Sequence, residues 1–473
     1  MKHLKRIYLV SIVLAALTVL SLQVAAQQNT VKHHRYKLVE IGTFGGPNSV
    51  YNVFSRIATN DGRVVGAANT ADPDLFAPFV PYCFDQETCF VQHAWKWSRG
   101  VLTDLGALSE GYSSYTNAIN SRGLIVGQSQ KAGIDPLTGG PVLYLATVWD
   151  HGKIRNLGTF GGANSIAIAA TDQNFVMGAA ENGIVDTSDL SGFDGVSQIR
   201  AFGWNGGEIF DLGTLGGTDA FPGDMNNRGE VVGASTTTPF PDVNGIVPIH
   251  PFLWREGKMQ DLGTLGGNFA GPGAINNREQ IVGSSTLQGD QTTHPFLWQH
   301  RRMIDLGTLG GSYGIGEWLN DVGDVIGYSG TTGDQQLHGF IWRRGVMTDL
   351  GTVGSDNSSN AFGINVRGQV AGQSWFWNGH DVTASHAFLW ENGGPMVDLN
   401  ELVSPGSNLN LTEADFITDE GLIVARGFTP TGDTHTAILI PEGEACEFTP
   451  FAVSRAYKAT MPPSVQRRLT GEM

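Results

Sequence analysis

From Asp261 to Trp298 the chain reads DLGTLGGNFAGPGAINNREQIVGSSTLQGDQTTHPFLW, and DLGTLGG begins again at Asp305. Followed by its first glycine, the unit recurs at Gly42, Gly106, Gly158, Gly213, Gly263, Gly307 and Gly351, with Asn400 in the place of an eighth. The steps are 64, 52, 55, 50, 44, 44 and 49 residues. A period near 44 with insertions suits the four-stranded blade of a propeller better than a helical repeat.

Within a unit, four short apolar runs are punctuated by Gly and Asn, which predicts four strands. Strand A precedes INNR, B is QIVGSS, C is HPFLW and D approaches DLG. The A–B link is a tight turn of N-x-x-G type, as in Asn226–Gly229, Asn320–Gly323 and Asn365–Gly368, and C–D is tight at Glu256-Gly257 and Asn392-Gly393. Gly and Asn tolerate the positive φ of such turns. The D–A link LGTLGG has neither the following helix nor the spacing of a phosphate loop. Its glycines are expected to serve chain reversal and close packing.

Both ends carry fragments of the unit. Tyr36–Gly42 is a lone strand D; Phe416-Ile417, Gly421–Val424 and Thr436–Ile440 supply A, B and C with no D after them. Joined, they complete the ring, so the expected fold is all-β: an eight-bladed propeller over residues 36–441, its last blade closed by the N-terminal strand.

Residues 386–390 (HAFLW), the DLGTLGG element and the IN-x-x-G-x-VVG-x-S element together resemble the HAF repeat of bacterial extracellular repeat proteins. The resemblance spans about residues 36–441 and implies a secreted, propeller-like repeat protein. It carries no shared catalytic residues onto this chain.

Outside the repeat, residues 1–26 read as a signal peptide. Lys2, Lys5 and Arg6 precede the apolar run Ile7–Leu20, and Val24-Ala25-Ala26 ends on small residues. A secreted or periplasmic location and no membrane span after signal removal are expected, with residues 27–35 a linker and 442–473 a tail. The net charge of −16 argues against nucleic acid as a partner. A monomer binding a glycan or an extracellular protein is expected, without a cofactor. The repeat pattern of quinone-cofactor dehydrogenases, A-x-D-x-x-T-G-K-x-x-W, is absent.

Residues that recur in most units read as architecture. The tryptophans ending strand C (Trp97, Trp149, Trp204, Trp254, Trp298, Trp342, Trp390) are expected to pack between blades. The histidines opening it (His93, His250, His294, His338, His386) are expected to bond either the serine ending strand B or the acid before LG.

Function is expected where units differ. Insertions fall in the B–C links, at Thr70–Val91, Gln130–Tyr144, Glu181–Gln198, Thr236–Ile249 and, more modestly, Trp375–Ser385, and these share one face. Trp375, Phe376 and Trp377, followed by His380 and Asp381, offer ring faces beside polar groups, the requirements of a carbohydrate platform. Asp186, Asp189 and Asp194, and likewise Asp72, Asp74 and Asp85, are weak calcium candidates that match no calcium-loop pattern. In strand A, Arg56, Asp224, Glu317 and Trp318 are expected to face or flank the central channel. There Glu317 and Asp224 with Arg56 give an alternative, enzymatic reading by acid–base cleavage of a polysaccharide. Trp318 is a further binding candidate. Cys83 and Cys89, six apart in the first insertion, are expected to pair and leave Cys446 free.

Overall fold

The computed structural model describes residues 33–443 apart from 54, 75–88, 110–111, 141, 187–195 and 392. The expected signal peptide, most of the linker and nearly all of the tail lie outside the described residues.

The strands pair as five four-stranded antiparallel sheets and one of twelve strands. Within the twelve, two single parallel bridges, Ile249 to Phe269 and Thr293 to Tyr313, join three four-stranded units end to end. Each unit follows the order A-B-C-D, and the fold is of the propeller type. Tyr36–Ile41 pairs antiparallel with Thr434–Pro441, from Tyr36 opposite Pro441 to Ile41 opposite Thr436. The first strand of the chain thus supplies strand D to the last unit. Across the seam, Thr436 N donates to Ser49 Oγ at 3.0 Å and Ser49 Oγ donates to Ile41 O at 2.7 Å.

Neighbouring units are latched at the A–B turns. The INNR asparagine uses both ends of its amide. Its Oδ1 accepts backbone N–H groups of its own turn, as Asn276 does from Arg278 and Gln280. Its Nδ2 donates to the next unit's turn: Asn226 to Asn276 O, Asn276 to Asn320 O, Asn320 to Asn365 O and Asn365 to Thr418 O. A second ring uses the following residue, where Asp172 N donates to Asn227, Asn227 N to Asn277 and Asn277 N to Asp321. It crosses the seam, since Asp419 N donates to Asn60 Oδ1 at 3.2 Å.

The strand C tryptophans Trp97, Trp149, Trp204, Trp298 and Trp390 are buried, and Trp97 and Trp149 pack with Ile119 and Ile125 in one core cluster. The histidines choose the acid before LG over the serine. Nδ1 of His250 bonds Asp261 at 2.9 Å, and His93, His294 and His338 repeat the contact with Asp104, Asp305 and Asp349. His386 turns instead to Asp356. The serine caps the D–A link, as when Leu265 N donates to Ser285 Oγ at 2.8 Å. Two units lack the histidine. Arg200 stands in its place and pairs with Asp211 at 2.8 Å; Leu145 stands there in the second unit, whose D strand ends in Asn156.

The glycines of LGTLGG are structural. Thr264 Oγ1 donates to Gly267 O at 2.8 Å, Gly266 sits at φ +112°, and a Cβ on Gly267 would meet Thr286 Oγ1 at 2.1 Å. In five units the C–D link is a two-residue turn with both central residues at positive φ, such as Glu256 at 49° and Gly257 at 79°; the third (205–209) and seventh (391–396) are longer, so the tight turn expected at Asn392-Gly393 is not found.

Two of these Asp–His contacts, at Asp261 and Asp349, are expected to make the fold acid-sensitive. Partial burial raises the carboxyl pKa of Asp261 and Asp349, but the bonds from His250 and Gly263 N, and from His338 and Gly351 N, outweigh it and hold both below the usual aspartate value. A depressed carboxylate stabilises the fold above its unfolded pKa of about 3.9 and loses that contribution as pH falls through the folded value. The melting temperature is therefore expected to drop below about pH 4, and less steeply in Asp261→Asn. Melting curves from pH 7 to pH 2.5 check this.

Candidate functional site

Except in the fourth unit, where a loop joins Thr236 to Ile249, the insertions rise as extensions of strands B and C. Strand B of the second unit runs Ile125–Ala132 against Val142–Asp150. In the third, Asp186 N still donates to Val196 O at 2.6 Å. In the seventh, B runs Val370–Trp377 against Val382–Trp390, with Trp375 opposite Ser385 and Trp377 opposite Val382. The hairpin tip is closed by Asn378, whose Oδ1 accepts His380 N and Asp381 N. Asn357, in the D–A link, clamps it from the side: Trp377 N donates to its Oδ1 at 2.9 Å and its Nδ2 donates to Trp377 O at 2.8 Å.

Trp375 is half-buried, Phe376 is 37% exposed and Trp377 45%. Phe376 lies opposite Ala384 and Trp377 opposite Val382, so the register shifts between these two rings. His380 and Asp381 are exposed beside Trp377. Trp318 does not join them: it lies near the A–B end of strand A in the sixth unit, at the opposite face.

The calcium candidates separate. Asp189, Asp194 and Asp85 lie outside the described residues. Asp186 is approached by Thr218 Oγ1 at 3.5 Å, and Asp74 is buried and accepts from Ser113 Oγ at 3.2 Å, tying the first insertion to the second unit. Among the described residues no three His, Cys, Asp or Glu side chains gather as a metal site. Cys89 is disulfide-bonded. Cys83 and Cys446 both lie outside the described residues.

The channel has a regular feature that alternation alone did not reveal. Register shifts occur at one recurring position of strand A, between Thr116 and Ala118, Ala167 and Ala169, Pro222 and Asp224, Pro272 and Ala274, Gly316 and Trp318, and Ala361 and Gly363. A bulge inserts one residue and re-aims its side chain. Asn117, Ile168, Gly223, Gly273, Glu317 and Phe362 occupy it, all lining a cavity of about 500 Å³ on the axis. A smaller one of about 150 Å³ opens toward the A–B turns and shares Val53, Ser55, Trp318 and Phe362 with the first. The bulge ring is the waist between the two.

The last unit continues the pattern with Asp415, at the shift between Ala414 and Phe416. Its carboxylate accepts from the buried Tyr51 hydroxyl across the seam. Arg426 donates to Glu413 at 2.7 Å and lies 3.8 Å from Asp415. Burial, and then Glu413, raise the Asp415 carboxyl well above the usual aspartate range. Burial works against the Arg426 charge, but Asp415, Tyr51 and Glu413 outweigh it. This cluster was missed from sequence because Thr418 replaces the INNR asparagine. Aligning that threonine with Asn365 would have placed Asp415 beside Phe362.

The other channel candidates do come together. Arg56 lies 3.5 Å from Asp224 and 5.9 Å from the centre of the Trp318 ring. Asp224 is spoken for, since it is buried and accepts Ile275 N at 2.9 Å. Glu317 is different. Burial pushes its carboxyl up to about 7, against the bond from Asn360 Nδ2 at 3.2 Å and with a smaller push from Glu413. Its electrostatic neighbour is Glu413 rather than Asp224.

No family model matches the chain. No curated protein matches it in sequence. Among solved structures it is similar to hydrazine synthase of Kuenenia stuttgartiensis, with 10% identity, TM-score 0.35, and 62% of this chain and 45% of that one covered. It is similar to TolB from Acinetobacter baumannii at 11% identity and TM-score 0.32, covering 80% of each chain. It is similar to a Trypanosoma rangeli sialidase in complex with the inhibitor DANA at 10% identity and TM-score 0.32, covering 85% of this chain and 59% of that one. The likeness is one of overall architecture and says nothing of activity.

Proposed function

We propose that the protein is an exported, monomeric, non-enzymatic repeat protein of the HAF type that binds a glycan or an extracellular protein on the face carrying the B–C hairpins. One observation carries the reading: Trp377, 45% exposed, stands near the tip of a hairpin held by Asn357 and Asn378, two residues from the half-buried Trp375. A clamped ring loses little conformational freedom on binding, which favours recognition. Replacing Trp375 and Trp377 by Ala is expected to weaken glycan binding about tenfold or more, each tenfold being 1.4 kcal/mol, with little change in melting temperature. Glycan-array binding and melting curves on the same preparation decide it. A double variant that loses its fold would make the rings part of the core.

The raised Glu317 carboxyl favours a second reading, a propeller enzyme that cleaves an extracellular polysaccharide. A carboxyl titrating near 7 can hold a proton for a leaving group at neutral pH. On this reading, release of reducing ends should fall about a hundredfold or more in Glu317→Gln. Absence of release by the wild-type chain across the glycans it binds would remove the reading.

A further inference from the structure

The larger cavity on the axis is walled mainly by Ile166, Ile168, Phe221, Pro272, Ile315 and Phe362, and Phe221 stays 37% exposed. It owes its room to glycine. At the bulge position, Gly223 and Gly273 stand where the units on either side carry Ile168 and Glu317. A Cβ on Gly223 would come no nearer than 3.8 Å to another atom, and one on Gly271 would meet nothing within 4 Å. Apolar surface held open to water is unfavourable until something covers it.

Among the described residues lining this cavity, Glu317 alone is ionisable. Its carboxyl accepts from Asn360 Nδ2 at 3.2 Å and has no other hydrogen bond and no ion pair among the described residues. The channel's guanidinium groups are committed elsewhere, Arg426 to Glu413 at 2.7 Å and Arg56 to Asp224 at 3.5 Å. A carboxylate so placed lacks a counter-ion, and burial without one is costly. We propose that the cavity binds an apolar organic cation, an alkyl- or arylalkyl-ammonium ion, with its charge against Glu317 and its body along the apolar wall. An ammonium group only donates and a carboxylate only accepts, so the two match. The rings of Trp318 and Phe362 border the same cavity and attract a cation over their faces. Arg56 lies 5.9 Å over the Trp318 ring but lines the smaller cavity and not this one. A volume of about 500 Å³ falls in the range of small-molecule sites.

The lining argues against other ligand classes. An anion would face Glu317, with Glu413 as its electrostatic neighbour. A metal ion would find one carboxylate where several oxygen ligands are needed. A sugar would lay its hydroxyls against an aliphatic wall. A neutral apolar molecule would cover that wall and leave the carboxyl unanswered. The site is separate from the rim hairpin and does not rest on the rim reading. It asks Glu317 to hold a charge, not to pass a proton.

Titrations of the intact chain followed by saturation-transfer NMR test it, with three probes of one shape: phenylethylammonium, the uncharged phenylethanol and the anionic phenylacetate. They are run at about pH 8, above the value to which burial pushes the Glu317 carboxyl. Phenylethylammonium should bind about tenfold tighter than phenylethanol or better, and phenylacetate should not displace it. Glu317→Gln should remove that preference. Gly271→Leu, which fills the cavity, should weaken the ammonium about tenfold or more, and Trp377→Ala should leave it unchanged. Should Gly271→Leu fail to fold, Gly223→Leu takes its place. No binding of phenylethylammonium, equal binding of the alcohol, or a preference that survives Glu317→Gln overturns the proposal. So does displacement by phenylacetate. Binding that survives the filled cavity but is lost in Trp377→Ala overturns the channel site and moves the cation to the rim.

Discussion

Removing the chain up to Thr43 is expected to lower the melting temperature by more than about 10 °C, or to abolish cooperative melting. The cut deletes strand D of the last unit, with the buried Tyr36, Val39 and Ile41. Burial of each such side chain is worth about 2 kcal/mol, and six residue pairs of backbone register go with them, Tyr36–Pro441 through Ile41–Thr436. The cut also bares Thr434–Pro441 as an edge open to pairing with another molecule. Thermal melting and light scattering measure both effects. A truncated chain that melts where the intact one does would contradict closure by the N-terminal strand.

Gly327→Ala is expected to cost about 3 kcal/mol, a fall of roughly 3–4 °C. Gly327 belongs to the recurring VVG-type element of strand B, where it faces the bulge of strand A. A Cβ there would stand 2.0 Å from Ile315 O and 3.1 Å from Glu317 N, and both are backbone atoms that cannot swing aside. The same crowding recurs at Gly372, 2.0 Å from Asn360 O, and at Gly283, 2.2 Å from Gly271 O. Gly271 itself is the control: a Cβ there meets nothing within 4 Å. Gly271→Ala should therefore be neutral or slightly stabilising, because it narrows only the unfolded chain. Equal losses in the two variants would show that the bulge does not set the packing.

Much of the fold was legible because local chemistry repeats. Tight turns, glycines at positive φ and the complementary fragments at the two ends are short-range signals, and comparison among copies turns them into topology. The recurring histidines and acids could be paired from sequence, but the choice between serine and acid needed the pairing of strands C and D. What stayed hidden depends on long-range contact. Tyr51 meets Asp415 only because the ring closes, and nothing near either residue announces the other. The bulge was hidden for a different reason: a strict two-residue alternation has no place for an inserted residue, so Glu317 and Trp318 could be placed near the channel but not told apart. Glu317 lines the larger cavity alone, whereas Trp318 borders both. The rim aromatics were found as a group, yet the register shift between Phe376 and Trp377 appears only once strand B is seen to run on to Trp377.

Amide hydrogen exchange along Tyr36–Ile41 tests the closed ring most directly. Strand D of the last unit is hydrogen-bonded to Thr434–Pro441 along its whole length. Its amides at Lys37 and Val39, which the register turns toward Thr434–Pro441, are expected to be protected and to exchange in step with Ile438 and Ile440. Exchange of these two amides within seconds at neutral pH, while the other strands stay protected, would contradict the closure.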